Sequence, residues 1–213
     1  MMKQRARSSA RAARASRRTQ EERRETTRRK LLEAAADRIA RFGLANAPLG
    51  VIAKHAGVTR GAVQHHFGTR NELLLAVVDE FGQQLIALSR NLTGRHAPLT
   101  ARIDSICSRY WETFSSPHFL TVIQIWLGVQ NEPSIYRSVL NRIRWFEVEL
   151  DRQWIDLFSD SPIGEKGLRA ARHVTLGTMR GLALRMTYSR DSSRSLDEIE
   201  VLKMMLGKMF ERA

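Results

Sequence analysis

The 213-residue chain is 43% hydrophobic and 27% charged, which provides enough apolar material for a packed core. It holds 35 Lys or Arg against 22 Asp or Glu, and the formal net charge of +13 favours a polyanionic partner, either nucleic acid or an acidic membrane surface. The single cysteine, Cys107, excludes a disulfide framework and a Cys-based zinc site, and it fits a reducing compartment. No apolar run approaches the roughly 20 residues of a membrane span, so we expect no membrane insertion and a cytoplasmic protein.

The positive charge is concentrated at the N-terminus. Residues 1–30 hold twelve Lys or Arg and three Glu, and the opening MMKQRARSSARAARASRR has no acidic residue. Such a composition cannot bury enough apolar surface to order itself. We therefore predict that residues 1–27 form a disordered basic arm that lies along phosphates. A solvated tail without a specific role is the plainer alternative, and a mitochondrial transit peptide has the same composition.

The remainder is predicted to be helical almost throughout, because its apolar residues recur with a period near 3.6. Residues 28–43 carry the first stripe, and Gly43 is a natural C-terminal stop. The next helix should run from Pro48 to about residue 55. Further helices are predicted at 71–91, 100–116, 118–130, 134–159, 165–189 and 195–211. With no convincing strand alternation, the chain is predicted to be an all-α protein of roughly nine helices.

The stretch VIAKHAGVTRGAVQHHFGTR, residues 51–70, has the pattern of a helix-turn-helix, in which two short helices are joined by a tight turn. Gly57 falls where the first of them must end, because glycine adopts the left-handed conformation at low cost. Thr59 can cap the following helix with its hydroxyl. Val63 and Phe67 share one side of that helix and are expected to face inward.

The opposite side of this helix has no packing role, yet it is not a charged solvent face. It carries Gly61, Gln64 and His65, with Ala62 at one flank and Arg60 in the first turn. Small residues let the backbone approach a surface closely. The Gln64 amide offers the donor and the acceptor that reading a base edge requires. The pattern therefore predicts a recognition helix for double-stranded DNA.

Four short motifs in the N-terminal region together carry a family resemblance. They are Phe42-Gly43, IAKHAGVTRGAV at 52–63, His65-His66-Phe67 and TRNEL at 69–73. In their order and spacing, residues 28–73 resemble the DNA-binding domain of the TetR family of bacterial transcription regulators. The chain departs from the usual family pattern at Gln64, where tyrosine is common, at His66, where another aromatic is usual, and at Gly68, where proline is common.

The resemblance implies a set of DNA-facing positions, which are Gly50, Thr59, Arg60, Gly61, Ala62, Gln64, His65 and Arg70. Gln64 and His65 are the expected base contacts, and Arg70 matches a basic residue that often holds a phosphate. Arg60 fits either a phosphate or a guanine. A zinc site at His65 and His66 is not expected, because adjacent helical residues diverge and no Cys or acidic ligand is nearby.

The resemblance also divides the chain into the arm at 1–27, the helix-turn-helix domain at 28–73 and a helical domain for effector binding and dimerisation at 74–213. Family members hold a small effector in a cavity among the later helices, and aromatic residues with a few polar groups suit such a cavity. An aromatic residue at helical spacing is nevertheless more often plain core. The candidates for lining the cavity are Tyr110, Trp111, Phe114, Trp126 and Trp145.

A single short recognition helix reads few base pairs, so we expect a homodimer on two half-sites. AARHVTLGTMRGLALRM contains Gly177 and Gly181, four residues apart on one helical face. Glycine inside a helix costs about 1 kcal/mol relative to alanine, which is tolerated where another backbone must come close. We expect the last two helices to form a four-helix bundle with their copies, through Gly177, Gly181, Leu184, Leu202 and Met205. Packing within one chain is the alternative.

The recognition helix predicts a sequence-specific transcriptional regulator, and the family resemblance implies, by default, a repressor that a small-molecule effector releases from a palindromic operator. Activator and dual roles also fit. The sequence contains no phosphate-cradling glycine loop, no H-E-x-x-H and no G-x-S-x-G motif, so we expect neither an enzyme nor a metal or cofactor. The competing interpretation is a basic helical protein that binds RNA or an anionic surface mainly through its Arg-rich arm.

Overall fold

The computed structural model describes residues 2–90, 94–189 and 193–211, and side chains within 20–90, 94–189 and 195–211. Over these ranges it is all-helical, as the sequence predicts, and forms two compact units, Met1–Leu74 and Leu75–Ala213. The α-helices are α1 (Met2–Phe42), α2 (Leu49–His55), α3 (Arg60–Phe67), α4 (Arg70–Arg90), α5 (Leu99–Phe114), α6 (Pro117–Gly128), α7 (Pro133–Leu157), α8 (Gly164–Arg185) and α9 (Ser193–Glu211), with a short 3-10 helix at Leu44–Asn46. Within the described residues, no helix is both long and apolar enough to cross a membrane.

The first unit packs α1, α2 and α3 around a small apolar core. Leu31 and Ile39 on α1 are fully buried, as are Ile52 on α2 and, almost completely, Val63 on α3. Helix α1 ends at Phe42 because Gly43 takes a φ of 82°, a conformation that L side chains rarely adopt. The predicted stop at Gly43 is confirmed.

Helix α1 begins much earlier than the sequence predicts. Residues 2–27, expected to be a disordered arm, are helical and continuous with the packed part of α1. Ala, Arg, Gln and Glu are strong helix formers. A helix whose C-terminal half is held by buried Leu31 and Leu32 also extends backwards without a second costly nucleation step. Composition indicates how much apolar surface a segment can bury. It does not indicate whether a packed helix next to that segment in sequence will extend into it.

The second unit has a core rich in aromatic side chains. Phe158 and Phe210 bring the end of α7 and α9 together, with their ring centroids 4.8 Å apart. Trp154 lies against both of them and also stacks on Tyr110 of α5. The described part of α4 beyond residue 74 belongs to this unit, so α4 is the helix that passes from one unit into the other.

Buried Arg102 fixes α5 to the C-terminal end of α7. Its Nη1 atom donates to the Leu157 carbonyl at 2.7 Å, and its two Nη atoms each bind one carboxylate oxygen of Asp160 at 2.7 Å. A buried guanidinium is tolerated when its donors are used in this way. Hydrogen bonding to Arg102 is also the main cause that lowers the pKa of Asp160.

Candidate nucleic-acid interface

The turn of the helix-turn-helix is closed by backbone hydrogen bonds that need glycine at one position. Gly57 has a φ of 68°, its N–H donates to the Lys54 carbonyl at 3.2 Å, and the Val58 N–H donates to the Ala53 carbonyl at 3.0 Å. This pair of bonds is a Schellman motif, which satisfies carbonyls at the end of α2 and redirects the chain. The predicted role of Gly57 is confirmed.

Helix α3 begins where its cap places it. The Thr59 hydroxyl accepts a hydrogen bond from the Ala62 N–H at 3.2 Å, as predicted. Val63 and Phe67 are 1% and 7% exposed, and they anchor α3 to the rest of the first unit. The Arg28 guanidinium of α1 lies 5.5 Å from the centroid of the Phe67 ring, a cation–π contact that the sequence did not reveal.

The other side of α3 is open to solvent. Arg60, Gly61, Gln64 and His65 are exposed, while Ala62 is half-buried. A Cβ atom added at Gly61 would meet only the Thr59 hydroxyl oxygen, at 3.8 Å. Nothing within the described chain therefore requires glycine there. A surface of this kind, made of small and hydrogen-bonding residues without a core role, can accept a close-fitting polar partner.

His66 differs from its neighbour His65. It is half-buried, and its ring centroid lies 6.4 Å from that of Phe67. Burial, followed by the nearby His65, Arg24 and Arg28, lowers the pKa of His66 below its ordinary value. His66 is therefore a neutral packing residue at neutral pH. Among the residues whose side chains are described, no cluster of three His, Cys, Asp or Glu could hold a metal ion.

The start of α4 carries a capping box. The Glu72 N–H donates to the Thr69 hydroxyl at 3.2 Å, and the Thr69 N–H donates to the Glu72 carboxylate at 2.9 Å. Arg70 is the first residue of this helix, and its Nη2 atom lies 3.5 Å from the Leu44 carbonyl oxygen. Gly50 and Thr59, the remaining predicted DNA-facing positions, are both exposed. The T-x-x-E spacing at 69–72 was readable in the sequence as a cap.

The second unit contains a mostly apolar cavity of about 260 Å³ among α4, α5, α6, α7 and α8. Two of the five predicted lining aromatics are present, Phe114 and Trp126. The complete lining is Val78, Phe81, Gly82, Leu85, Phe114, Phe119, Val122, Ile123, Trp126, Leu140, Ile143, Phe146, Glu147, Leu150 and Arg180.

The other three aromatic candidates are corrected by the structure. Tyr110 is fully buried in the core, and its hydroxyl lies 3.2 Å from that of Ser89. Trp111 packs partly buried against the same core. Trp145 is 56% exposed and does not line the cavity. Helical periodicity identifies an apolar stripe, but it does not show which part of the stripe borders an empty space.

The polar edge of the cavity is an ion-pair network between α7 and α8. Glu147 accepts a hydrogen bond from Arg180 at 2.7 Å and binds Arg172, which is fully buried. Arg172 also binds Asp151 at 2.5 Å. Burial raises the pKa of Glu147, but its bonds to Arg180 and the charge of Arg172 outweigh burial and hold that pKa below its ordinary value. Glu147 is therefore ionised at neutral pH.

Helices α8 and α9 present an apolar face to solvent. Gly177 and Gly181 are exposed, and a Cβ atom added to either would meet nothing within 4 Å. Leu184 and Met205 are 40% and 62% exposed, as an interface with another chain requires. Leu202, predicted at the same interface, is 5% exposed and belongs to the core of its own chain. It forms part of the floor of an apolar groove with Val174, Met205 and Met209.

Comparisons with known proteins agree with this architecture. Residues 31–77 match the family model for bacterial regulatory proteins of the tetR family. The chain is 25% identical over 168 residues to the HTH-type transcriptional regulator CymR of Pseudomonas putida, an alignment that covers 79% of this chain and 83% of CymR. It is 30% identical over 114 residues to the HTH-type transcriptional regulator BetI of Klebsiella pneumoniae (strain 342), covering 52% of this chain and 58% of BetI.

Solved structures show the same fold. A transcriptional regulator from Rhodococcus sp. Rha1 superposes with a TM-score of 0.70 at 19% identity, covering 86% of this chain and 96% of the regulator. The transcriptional regulator FadR from Bacillus subtilis, in complex with stearoyl-CoA, superposes with a TM-score of 0.62 at 15% identity, covering 83% of this chain and 96% of FadR. Residues 31–77 therefore form a helix-turn-helix domain of the tetR family of bacterial regulatory proteins, and the curated relatives that align with this chain are HTH-type transcriptional regulators.

Proposed function

We propose that this regulator is a cytoplasmic homodimeric repressor, without enzymatic activity, which leaves a palindromic operator when a small molecule binds its second unit. The observation that carries the proposal is the two-sided character of α3. Val63 and Phe67 hold the helix from behind, while Gly61, Gln64 and His65 stand exposed on the other side. A helix held in this way can enter the major groove without losing its fold.

Base reading is assigned to Gln64 and His65. Gly61 and the half-buried Ala62 leave room for the backbone to approach the floor of the groove. One good bidentate base contact contributes about 1–3 kcal/mol of discrimination. Phosphate binding is assigned to Thr59, to Gly50 through its backbone N–H and to Arg70 at the start of α4, where the helix dipole also favours an anion. Arg60 fits either role.

Dimerisation is assigned to the apolar face of α8 and α9. Exposed apolar side chains that form a continuous patch are typical of protein interfaces. Gly177 and Gly181 lie on this face without a packing role in their own chain. Val174, Leu184 and Met205 are exposed there as well. These features suit a helix pair that packs closely against its own copy, and the dimer would place two copies of α3 on two half-sites.

Effector control is assigned to the cavity in the second unit. Helix α4 begins at Arg70 and contributes Val78, Phe81, Gly82 and Leu85 to the lining. A ligand that binds better to one arrangement of α4 shifts the population towards that arrangement and changes DNA affinity by the same coupling free energy. A protein of this fold, FadR from Bacillus subtilis, is in complex with stearoyl-CoA, which supports a ligand role for the helical unit.

The proposal is tested by selecting duplexes from a random pool with the purified full chain. We expect one enriched motif with two-fold symmetry, whose half-sites lie one helical turn or a multiple apart. In vitro transcription from a promoter carrying that motif should then fall when the protein is added. A pool without any enriched motif would instead support the arm-driven binder of RNA or anionic surfaces. An enriched but asymmetric single site would contradict the dimer.

A further inference from the structure

Among the described lining residues of the effector cavity, the charged side chains lie together at one edge. Of its fifteen described lining residues, thirteen are apolar or glycine, and the two charged ones are Glu147 and Arg180. These two lie next to each other in a salt bridge of 2.7 Å. The Arg180 guanidinium also lies 5.8 Å from the centroid of the Phe114 ring, which is part of the apolar wall. A ligand in this cavity therefore meets aliphatic and aromatic side chains over most of its surface and one ion pair at an edge.

The two members of this ion pair, Glu147 and Arg180, differ in the other groups that they bind. Glu147 has a second partner in Arg172, which is fully buried on α8. Asp151 binds both Arg172 and Arg169. In this network three arginines face two carboxylates, so one positive charge is in excess. Since Glu147 keeps Arg172 when Arg180 turns away, Arg180 is the group that can be given to a ligand at the lowest cost.

A second donor stands in the same wall. Trp126 lines the cavity, and its indole Nε1 is buried without a hydrogen-bond partner among the described residues. A buried N–H that forms no hydrogen bond is destabilising, so this group gains from an acceptor on a ligand. Among the described lining side chains, the cavity thus has an ionic donor and a neutral donor, whereas the one side-chain acceptor, Glu147, is already shared between two arginines.

We infer that the effector is a one-ring carboxylic acid, whose ring packs among the phenylalanines of the cavity and whose carboxylate takes Arg180 from Glu147. The inference rests on the proposed role of the cavity as the effector site. The volume of about 260 Å³ is near the lower end of the roughly 300–1,000 Å³ of drug-sized pockets, which favours one ring over several. A cationic ligand finds no free carboxylate among the described lining residues, and a neutral hydrocarbon leaves the Trp126 N–H without a partner.

The test uses three molecules with one carbon skeleton: 3-phenylpropanoate, 3-phenylpropanamide and 3-phenylpropylamine. Binding to the full-length protein is measured by isothermal titration calorimetry. We expect the acid to bind at least about tenfold more tightly than the amide, since a hydrogen bond between two charged groups is stronger than a neutral one. The amine should bind most weakly. Because the comparison uses the unaltered protein, it does not depend on the folding of any variant.

Two variants identify the groups involved. Arg180→Gln should remove the preference for the acid over the amide, because it replaces the guanidinium with a shorter, neutral side chain that can still donate a hydrogen bond. Trp126→Phe keeps the ring but removes the N–H, and should weaken acid binding about two- to tenfold. Arg109→Gln is the matched control, because Arg109 is an exposed arginine paired with Glu112 outside the cavity lining. It should leave the affinities for all three molecules unchanged.

Several outcomes would overturn the inference. Equal binding of acid and amide, a preference for the amine, or an acid affinity that Arg180→Gln leaves unchanged would each do so. If the amide or the amine releases the selected operator and the acid does not, the cavity is an effector site and only the ligand class is wrong. If none of the three binds while sequence-specific DNA binding persists, the one-ring acid is excluded and the regulator function stands.

Discussion

Helices α3 and α8 each place glycine on an exposed face where the chain itself does not require it. At Gly61 an added Cβ would meet only the Thr59 hydroxyl at 3.8 Å, and at Gly177 and Gly181 it would meet nothing within 4 Å. Glycine inside a helix costs about 1 kcal/mol relative to alanine. Neither helix gains packing in its own core from its glycines, and this is the basis of the proposal that a partner outside the chain comes close to each.

The neighbours of these glycines differ. Around Gly61 the exposed residues are Arg60, Gln64 and His65, which carry charge or hydrogen-bonding groups. Around Gly177 and Gly181 they include Val174 and Leu184, which are apolar. An exposed glycine in a helix therefore predicts that a partner can approach the helix backbone closely. The polarity of the surrounding residues predicts the kind of partner. Polar neighbours favour a DNA groove, whereas apolar neighbours favour a protein interface.

The largest effect is expected when Phe67, the buried side chain that holds α3 against the first unit, is removed. Phe67→Ala should lower the free energy of unfolding of the first unit by about 3–5 kcal/mol, because it deletes a buried ring, and it should abolish operator binding. Urea denaturation followed by circular dichroism measures the first effect. Gln64→Ala is the control on the same helix, and as an exposed substitution it should stay within about 0.5 kcal/mol. Equal stability of the two variants would show that Phe67 does not hold α3.

The comparison is sharpened by placing the same side chain at both glycines. Gly181→Leu should weaken dimerisation by about 1–3 kcal/mol, as expected when a close contact is overfilled, and should leave the protomer folded. Gly61→Leu should weaken DNA binding by a similar amount and leave the dimer intact. Analytical ultracentrifugation and fluorescence anisotropy with the selected operator measure the two properties separately.

The two leucine variants contradict the interpretation if their effects do not separate. Gly181→Leu is expected to reduce DNA binding only in proportion to the fraction of protein that no longer dimerises. A dimer that forms as well in Gly181→Leu as in the parent would mean that α8 does not approach its copy closely. A Gly61→Leu variant with unchanged operator affinity would mean that the backbone of α3 does not approach the groove floor.

Features set by neighbouring residues were predictable from the sequence. The end of α2 at Gly57, the cap at Thr59 and the inward side of α3 all depend on residues within one or two helical turns of each other. Backbone conformation, hydroxyl capping and the 3.6-residue period act over that range. The helix-turn-helix could therefore be read from twenty residues.

Features set by packing between distant helices were not predictable in the same way. Tyr110 and Trp145 lie on good helical stripes, yet one is core and the other is exposed. Leu202 has the spacing of an interface residue but packs into its own chain. The period fixes which residues share a side, whereas their role depends on what lies opposite. The ion pairs of Arg172 connect α8 with residues of α7 that lie more than twenty positions earlier in the sequence. No local sequence pattern predicts these pairs.

Within α3, Gln64→Ala tests base reading more finely than the leucine variants do. It should reduce the preference for operator over random duplex by about 1–3 kcal/mol, while affinity for random duplex changes little. Competition binding with the two duplexes measures this ratio. Gln83→Ala is a matched control, because Gln83 is an exposed glutamine on α4. If affinity falls equally on both duplexes, Gln64 does not read bases and instead contacts the DNA phosphate backbone.

Removing residues 1–27 should have the smallest effect on sequence choice. This segment holds nine of the 35 basic residues, and its contribution is expected to be attraction to phosphates. For every phosphate that the shortened chain no longer neutralises, the slope of log K against log salt should become shallower by about 0.9, so affinity falls on operator and random duplex alike. The ratio between the two should persist, because Gln64 and His65 remain in place on α3. If that ratio disappears together with the segment, binding is driven by the basic N-terminus, and the exposed polar side of α3 has no recognition role.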